Sequence, residues 1–220
     1  MSKVKWSFSG LKDYINCPKQ YHEVKIVKNY VKNVTPQMRY GTEVHKSLED
    51  YAALGTPLPK NYLRYKAIMD TLSEIGGQHY NERKMALKED KTPCEFDDPE
   101  YWVRGIVDRL IIDSEDAYVI DYKTGSNRYP DPKQLQLMSL FTFEHHPEVN
   151  IVKGGLLFVA HNDFVMREYK RADKAKLWEQ FAPDLTRLEN SLKDDKWPCN
   201  STPLCGWCPV HTCEYHRERR

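Results

Sequence analysis

Apolar residues recur at helical spacing along the first part of the chain. The pattern begins at Leu11, where Ser7 or Ser9 is placed to cap the first turn of a helix. The same spacing over residues 41–53 and 60–76 predicts two further helices, and a glycine pair ends the second of them. We therefore expect a mainly helical N-terminal part.

Beyond this part the spacing changes to the alternation that is typical of strands. It predicts strands over residues 80–88, 101–112, 117–123, 151–160 and 163–170. A helix from Lys133 to Phe143 separates the third and fourth strands, an acidic loop covers 89–100, and a helix follows the last strand over 172–192. This order predicts an α/β fold whose mixed sheet is wrapped by helical parts at both ends of the chain.

The composition fits a folded domain. Of 220 residues, 40% are hydrophobic and 30% are charged, which excludes a disordered chain and allows one large domain with a buried core. No apolar run reaches the ~20 residues that a membrane helix needs. The first residues lack the apolar stretch of a signal peptide, so we expect a cytoplasmic protein with no membrane partner.

The formal net charge of +1 excludes a chain that is basic throughout, yet the charge is divided unevenly. Residues 1–46 hold nine lysines and arginines against three acidic residues, whereas residues 82–121 hold six against twelve. Ordinary surface variation is one interpretation. The other is a basic region that binds a polyanion and an acidic region that holds metal ions.

Four of the six cysteines fall within the last 22 residues. In a chain expected to stay in the cytoplasm, such clustering favours a metal site over disulfides, with buried free thiols as the alternative. Three thiolates come from the tail: Cys205, Cys208 and Cys213. The fourth ligand is then Cys17, Cys199 or a histidine such as His216. Zinc accepts any of these, whereas an iron–sulfur cluster prefers cysteines.

The third predicted strand ends in charged residues. After an apolar run it reaches Asp121-Tyr122-Lys123, whose alternation places the carboxylate and the ammonium group on one face. Asp108, in the preceding strand of a hairpin, is expected to lie beside them. A solvated strand end is the alternative interpretation. Two carboxylates and a lysine suit metal-assisted cleavage of a phosphodiester, because carboxylates bind Mg²⁺ or Mn²⁺ and lysine positions water or stabilises phosphate charge.

Further motifs flank these residues. They are Ser7 to Leu11 running on to Cys17-Pro18-Lys19-Gln20-Tyr21, then Gly41-Thr42-Glu43-Val44-His45, Gly105 to Asp108, Gln134 at a helix start, and the cysteine tail. In this order they resemble the PD-(D/E)XK nuclease superfamily, and more specifically its RecB-like branch, which includes CRISPR-adaptation nucleases and phage exonucleases. The resemblance implies a restriction-endonuclease-like mixed sheet flanked by helices. It also implies a single RecB-like domain over 1–220, with a helical part (1–80), a catalytic sheet core (81–170) and a C-terminal part (171–220).

The resemblance also implies an active site. The implied ligands of one or two Mg²⁺ or Mn²⁺ ions are His45, Asp108, Asp121 and the backbone carbonyl of Tyr122. Lys123 would assist the attacking water, and Gln134 would orient the substrate phosphate or water. Glu82 stands where relatives often carry a glutamate on the first strand. The tyrosine of the family's Q-x-x-x-Y motif is Met138 in this chain.

For the cysteines, the resemblance favours a 4Fe–4S cluster over zinc. Its ligands would be Cys17, Cys205, Cys208 and Cys213, and the cluster would join the N- and C-terminal parts of the chain. Zinc held by the three tail cysteines with Cys17 or His216 is the alternative. The tail spacing C-x2-C-x4-C is one residue shorter than in iron–sulfur relatives, and Cys199 and Cys94 are left over.

The implied activity is a metal-dependent DNA exonuclease acting on DNA ends or single strands in recombination, repair or phage DNA processing. The alternatives are a DNA-binding or assembly subunit with weak or no cleavage, and an RNA nuclease. Candidate contacts to the phosphate backbone are Lys3, Lys5, Lys12, Lys19 and Lys25. A partner protein in a recombination or processing complex is expected, as is a bacterial cytoplasm or, for a phage protein, that of the host.

Overall fold

The computed structural model describes residues 4–32, 34–125, 131–158 and 163–217. The chain divides into two compact units, one made of Met1–Val34 and Glu179–Arg220 and the other of Thr35–Trp178. The seven α-helices of the described residues are α1 Phe8–Asn16, α2 Pro18–Tyr21, α3 Pro36–Leu54, α4 Lys66–Glu74, α5 Lys133–His145, α6 Lys174–Glu179 and α7 Ala182–Asp194. The single domain over the whole chain stays a prediction.

The unit Thr35–Trp178 contains a six-stranded sheet. Its strands are β1 Gln78–Leu87, β2 Pro93–Cys94, β3 Val103–Asp113, β4 Asp116–Lys123, β5 Ile151–Phe158 and β6 Asp163–Lys170. They lie in the order β2-β1-β3-β4-β5-β6, with β4 and β5 parallel and the other pairs antiparallel. The mixed α/β sheet predicted from the sequence is therefore confirmed.

One strand lies where the sequence analysis placed only a loop. Strand β2 is two residues long and pairs with the end of β1, with Cys94 opposite Ala86. Two residues are too few to show the alternation that predicts a strand. Strand β2 is recognised only by its pairing with β1. The acidic loop predicted over 89–100 therefore contains a two-residue strand that the prediction lacked.

Two connections set the topology of the sheet. Strands β3 and β4 form a hairpin through Ser114 and Glu115, and Ser114 has a positive φ of 58°, as tight hairpin turns require. Strands β4 and β5 are parallel, so the chain must cross over between them, and α5 lies in that crossover.

Helices cover the two faces of the sheet. Gly154 and Gly155 of β5 point to opposite faces because they are neighbours in a strand. A Cβ on Gly154 would meet Leu135 of α5, whereas one on Gly155 would meet Phe164 and Ile120. Ile120 packs in the apolar cluster that contains residues of α3 and α4, including Val44, Leu48, Met69 and Leu72.

Two predicted helices are less regular than their apolar spacing suggested. Residues Lys60–Tyr65 form a 3-10 helix before α4, within the helix predicted over 60–76. The helix predicted over 172–192 is divided into a 3-10 turn, α6 and α7. Pro183 lies in the first turn of α7, where its missing N–H costs nothing, but it could not continue α6. No described helix combines the length and the apolar character needed to cross a bilayer.

The other unit packs α1 against α7. Ser7 caps α1 by accepting a hydrogen bond from the Gly10 N–H at 3.2 Å, as predicted. The Tyr14 hydroxyl and the Ser191 hydroxyl lie 2.8 Å apart in the buried interface of the two helices. The contact between Tyr14 and Ser191 joins the N-terminal residues to α7, the helix that precedes the cysteine-containing tail.

Candidate active site and cysteine cluster

The hairpin β3–β4 brings Asp108 to the end of β4. The backbone pairing of the two strands runs from Asp113 opposite Asp116 to Arg109 opposite Ile120. Asp108 precedes Arg109 in β3. Its Oδ2 atom accepts a hydrogen bond from the backbone N–H of Tyr122 at 2.7 Å. The carboxylate therefore takes a backbone hydrogen bond at the strand end.

Asp121, Lys123 and Gln134 form a closed triangle of polar contacts. Lys123 Nζ lies 2.6 Å from Asp121 Oδ2 and donates to Gln134 Oε1 at 2.6 Å. Gln134 Nε2 donates to Asp121 Oδ1, also at 2.6 Å. Gln134 is in the first turn of α5, so this helix fixes the relative position of the carboxylate and the ammonium group.

A second group of ligand-type side chains lies next to this triangle. One ligand atom each of His45, Glu82 and Asp108 lies within 4.8 Å of the others. His45 Nδ1 is 3.4 Å from Asp108 Oδ2, and its ring is edge-on to Tyr122 with centroids 5.9 Å apart. An imidazole and two carboxylates form a donor set suited to Mn²⁺ or Mg²⁺.

Two backbone features place this group. A Cβ on Gly41 would lie only 3.1 Å from the Thr124 hydroxyl, so glycine lets α3 approach the end of β4 and brings His45 to the site. Glu82 has a positive φ of 47° and lies between two paired positions, Asn81 opposite Arg109 and Arg83 opposite Val107. Such a conformation is costly for a glutamate and is concentrated at functional sites.

The site shifts the pKa of each of its three ligand-type groups. Burial, followed by the charge of Asp121, raises the pKa of Asp108 well above its ordinary value, against the opposing Tyr122 N–H. Burial also raises the pKa of Glu82, with a smaller contribution from Glu49. Burial lowers the pKa of His45, although Asp121 and a hydrogen bond to the Tyr122 backbone oppose that change. A divalent cation binds ionised carboxylates and neutral imidazole, so it would favour ionisation of the two carboxyl groups, and the lowered pKa of His45 favours the form that binds metal.

The residues predicted as metal ligands thus fall into two groups. His45 and Asp108 belong to the three-residue group, which Glu82 completes. Asp121 is bound by Lys123 and Gln134, and the backbone of Tyr122 is engaged by His45 and Asp108. The assignment of Asp121 and the Tyr122 carbonyl as ligands stays a prediction.

The predicted cysteine ligands all lie in the unit that contains α1 and α7. All six cysteines are free thiols of intermediate burial. Cys17 Sγ accepts the Gln20 N–H at 3.5 Å, and Cys205 Sγ accepts the Thr202 N–H at 3.3 Å. Backbone N–H donors aimed at sulfur suit a thiolate that is bound to a metal.

Cys208 interacts electrostatically with the other three predicted ligands, Cys17, Cys205 and Cys213. Burial raises the pKa of Cys208, the Val210 backbone opposes this, and the thiols of Cys17, Cys213 and Cys205 add smaller contributions. His216, the histidine alternative for zinc, has a buried Nδ1 without a hydrogen-bond partner among the described residues. Cys94 belongs to β2 in the other unit, outside this group.

The candidate lysines belong to the same unit as the cysteines. Lys5, Lys12 and Lys25 are exposed, and Lys19 is half-buried at the start of α2. Lys3 lies outside the described residues. Their contact with phosphates stays a prediction.

The family model of the PD-(D/E)XK nuclease superfamily matches residues 5–213, and the chain therefore belongs to this superfamily of nucleases. Its members use divalent metal ions, and the donor set of His45, Glu82 and Asp108 fits that chemistry. The family assignment predicted from the sequence motifs is confirmed.

Solved structures share the fold at low sequence identity. SSO0001 is 14% identical, with a TM-score of 0.52 over 99% of this chain and 89% of its own. A protein from Eubacterium rectale, provisionally named an exonuclease, is 12% identical, with a TM-score of 0.54 over 100% of this chain and 89% of its own. No curated protein matches the chain.

Proposed function

We propose that this nuclease is a divalent-metal-dependent DNA exonuclease of the RecB-like branch, acting on DNA ends or single strands. The observation that carries the proposal is the convergence of His45, Glu82 and Asp108 within 4.8 Å beside the Asp121–Lys123 pair. Exonuclease action is supported by the resemblance to phage exonucleases and by the name of the Eubacterium rectale neighbour.

His45, Glu82 and Asp108 would hold the metal ion, with Asp121 and the Tyr122 carbonyl as the predicted further ligands. When bound, Mg²⁺ or Mn²⁺ supplies Lewis-acid stabilisation of phosphate charge and lowers the pKa of water. The imidazole of His45 makes the site suit Mn²⁺ at least as well as Mg²⁺.

Lys123 would act on the reacting phosphate. Its side chain is 32% exposed, so the lysine is accessible from solvent while Asp121 and Gln134 contact its ammonium group. A lysine held in this way donates hydrogen bonds to the attacking water or to a phosphate oxygen without reorganising first. Gln134 is a positioning residue in this scheme, because both of its amide atoms are engaged by Asp121 and Lys123.

The activity is tested with labelled single-stranded and duplex DNA, and with RNA, in the presence of Mn²⁺ or Mg²⁺. We expect Lys123→Ala to reduce DNA cleavage by roughly a hundredfold to a thousandfold. The matched control is Lys153→Ala, which removes a lysine that also pairs with a β4 aspartate, Asp116, at 2.7 Å. Undiminished cleavage by Lys123→Ala would refute the assigned site.

The same assay separates the alternatives. An assembly subunit with weak or no cleavage would bind DNA without cutting it in either metal. An RNA nuclease would cleave the RNA substrate faster than the DNA substrates. Release of nucleotides from one labelled end identifies an exonuclease, whereas internal fragments identify an endonuclease.

A 4Fe–4S cluster on Cys17, Cys205, Cys208 and Cys213 is the second part of the proposal. Four thiolates on one zinc ion would lie about 3.8 Å apart, given Zn–S bonds of about 2.3 Å in a tetrahedron. Among the described residues, no three cysteine sulfurs lie within 4.8 Å of one another. A 4Fe–4S cluster binds each of four thiolates to a different iron, and Cys17, Cys205, Cys208 and Cys213 would supply these four. Its role would be structural, since metal binding contributes free energy to folding.

The cluster is tested on anaerobically purified protein by its absorption spectrum and its iron, sulfide and zinc content. A brown protein with iron and sulfide in equal amounts supports the cluster. A colourless protein with bound zinc would instead support the zinc alternative. The predicted phosphate contacts of Lys5, Lys12, Lys19 and Lys25 are tested by the salt dependence of DNA binding in charge-removing variants.

A further inference from the structure

Cys199, which the sequence motifs leave without a role, is held beside Cys17. The residues on either side of it bind the residues around Cys17. The Lys19 N–H donates to the Pro198 carbonyl at 3.2 Å, and Asn200 Nδ2 donates to the Asn16 carbonyl at 2.9 Å. The segment Pro198–Asn200 is therefore tied across the turn between α1 and α2 that carries Cys17.

Cys199 also meets a proposed cluster ligand. Its Sγ lies 3.6 Å from the Sγ of Cys213. In a 4Fe–4S cluster each thiolate binds a separate iron, and the ligating sulfurs point to different corners. Two sulfurs this close are therefore directed at the same corner of the cluster, so only one of them is a ligand at a time.

The other three proposed ligands are held differently. Cys17 accepts the Gln20 N–H, Cys205 accepts the Thr202 N–H, and Cys208 is hydrogen-bonded by the Val210 backbone. The Sγ of Cys213 instead contacts a second thiol, Cys199. The chain thus offers five thiols for the four ligand positions of a cluster. Cys199 and Cys213 are the two thiols that share one of these positions.

We infer that Cys199 and Cys213 are interchangeable ligands of one metal position, while Cys17, Cys205 and Cys208 fill the other three. The inference rests on the proposed cysteine metal site. It applies to the ligand set of a 4Fe–4S cluster, in which each of four irons takes one thiolate while the chain offers five.

The inference is tested by metal content, which does not depend on nuclease activity. Iron, sulfide and zinc are measured in the anaerobically purified full chain. We expect Cys213→Ser and Cys199→Ser each to keep most of the wild-type metal. The double variant should lose it to the same extent as Cys208→Ser. Cys94→Ser, a cysteine change in the other unit, is the control for nonspecific effects.

A second measurement uses the unaltered protein and so does not depend on variants folding. The metal-loaded chain is alkylated without denaturation, and the modified cysteines are identified by peptide mapping. Exchange predicts partial labelling at both Cys199 and Cys213, with Cys17, Cys205 and Cys208 protected. Full labelling of Cys199 with full protection of Cys213 would overturn the inference, as would loss of metal from Cys213→Ser as complete as from Cys208→Ser. A wild type without bound metal would refute the proposed cysteine site itself.

Discussion

An aspartate–lysine ion pair lies at each end of strand β4: Asp116 pairs with a lysine of β5, and Asp121 pairs with a lysine of β4 itself. Asp116 pairs with Lys153 at 2.7 Å, and Asp121 pairs with Lys123 at 2.6 Å. Both lysine side chains are 32% exposed. The Asp116 side chain is 34% exposed, whereas that of Asp121 is 3% exposed.

The neighbours explain why one pair is a candidate active site and the other is a surface contact. Asp121 lies near Asp108, and both of its carboxylate oxygens meet Lys123 or Gln134. Lys153 contacts the ring of Tyr118, at 5.2 Å from its centroid, and its partner Asp116 is 34% exposed. Burial strengthens electrostatic interactions and makes an unbalanced carboxylate costly, which a bound cation would relieve. The chemistry therefore depends on context rather than on the residue pair.

The largest effect is expected for Asp108→Asn. We predict that DNA cleavage falls by about a thousandfold, because a metal ligand is lost. The metal-free variant should melt at a higher temperature than the metal-free wild type, since the raised pKa of Asp108 means that its ionised form is unfavourable in the fold. Cleavage rates and melting curves without metal check the two statements.

The matched change at the other end of β4 is Asp116→Asn. It should leave cleavage unchanged and lower the free energy of unfolding by at most about 1 kcal/mol, as for an exposed ion pair. Equal losses of cleavage in Asp108→Asn and Asp116→Asn would contradict the distinction between the two ends.

A smaller effect is expected for Gln134→Ala. Without the amide, Lys123 and Asp121 keep their ion pair but lose the contact to α5, so we predict a loss of cleavage of roughly a hundredfold. The control is Gln136→Ala on the same helix, whose Nε2 donates to the Leu177 carbonyl at 2.6 Å. That change should lower stability by about 1–3 kcal/mol and leave the rate per folded molecule unchanged. If Gln136→Ala reduced the rate equally, Gln134 would be merely structural.

The pH dependence of metal binding gives a subtler test. Because the pKa of Asp108 is raised, the carboxyl holds its proton to a higher pH, and the stability this gives the metal-free fold is lost as pH rises through that pKa. Mn²⁺ needs the ionised form, whereas His45, whose pKa is lowered, is already neutral. The rise in melting temperature on adding Mn²⁺ should therefore grow from acidic to neutral pH. A constant rise would argue against Asp108 as a ligand.

The smallest effect concerns the surface pair alone. A double-mutant cycle on Asp116 and Lys153 should give a coupling energy of about 0.2–1 kcal/mol that shrinks in high salt. Urea unfolding of the wild type, both single variants and the double variant measures it. A coupling of several kcal/mol would mean that the two ends of β4 are more alike than their exposure suggests.

The regular elements were largely predictable because their patterns are local. The alternation that ends in Asp121-Tyr122-Lys123 predicted strand β4 and placed Asp121 and Lys123 on the face opposite Tyr122, which packs in the apolar cluster with Ile120. Strand β2 was missed because two residues are too few to show an alternating pattern. The break between α6 and α7 was missed because the mixed polarity of residues 172–192 shows no clear interruption of the helical spacing.

The sequence by itself determined the nuclease family, the order of the elements, and the carboxylates and lysine of the candidate site, since motif spacing and strand alternation are properties of neighbouring residues. The tertiary structure decided which of these side chains meet. It brought Glu82 to His45 and Asp108, placed Gln134 between Asp121 and Lys123, and put Cys199 against Cys213. Such contacts join residues that are distant along the chain, so they depend on strand pairing, on backbone conformation and on hydrogen bonds that no local pattern records.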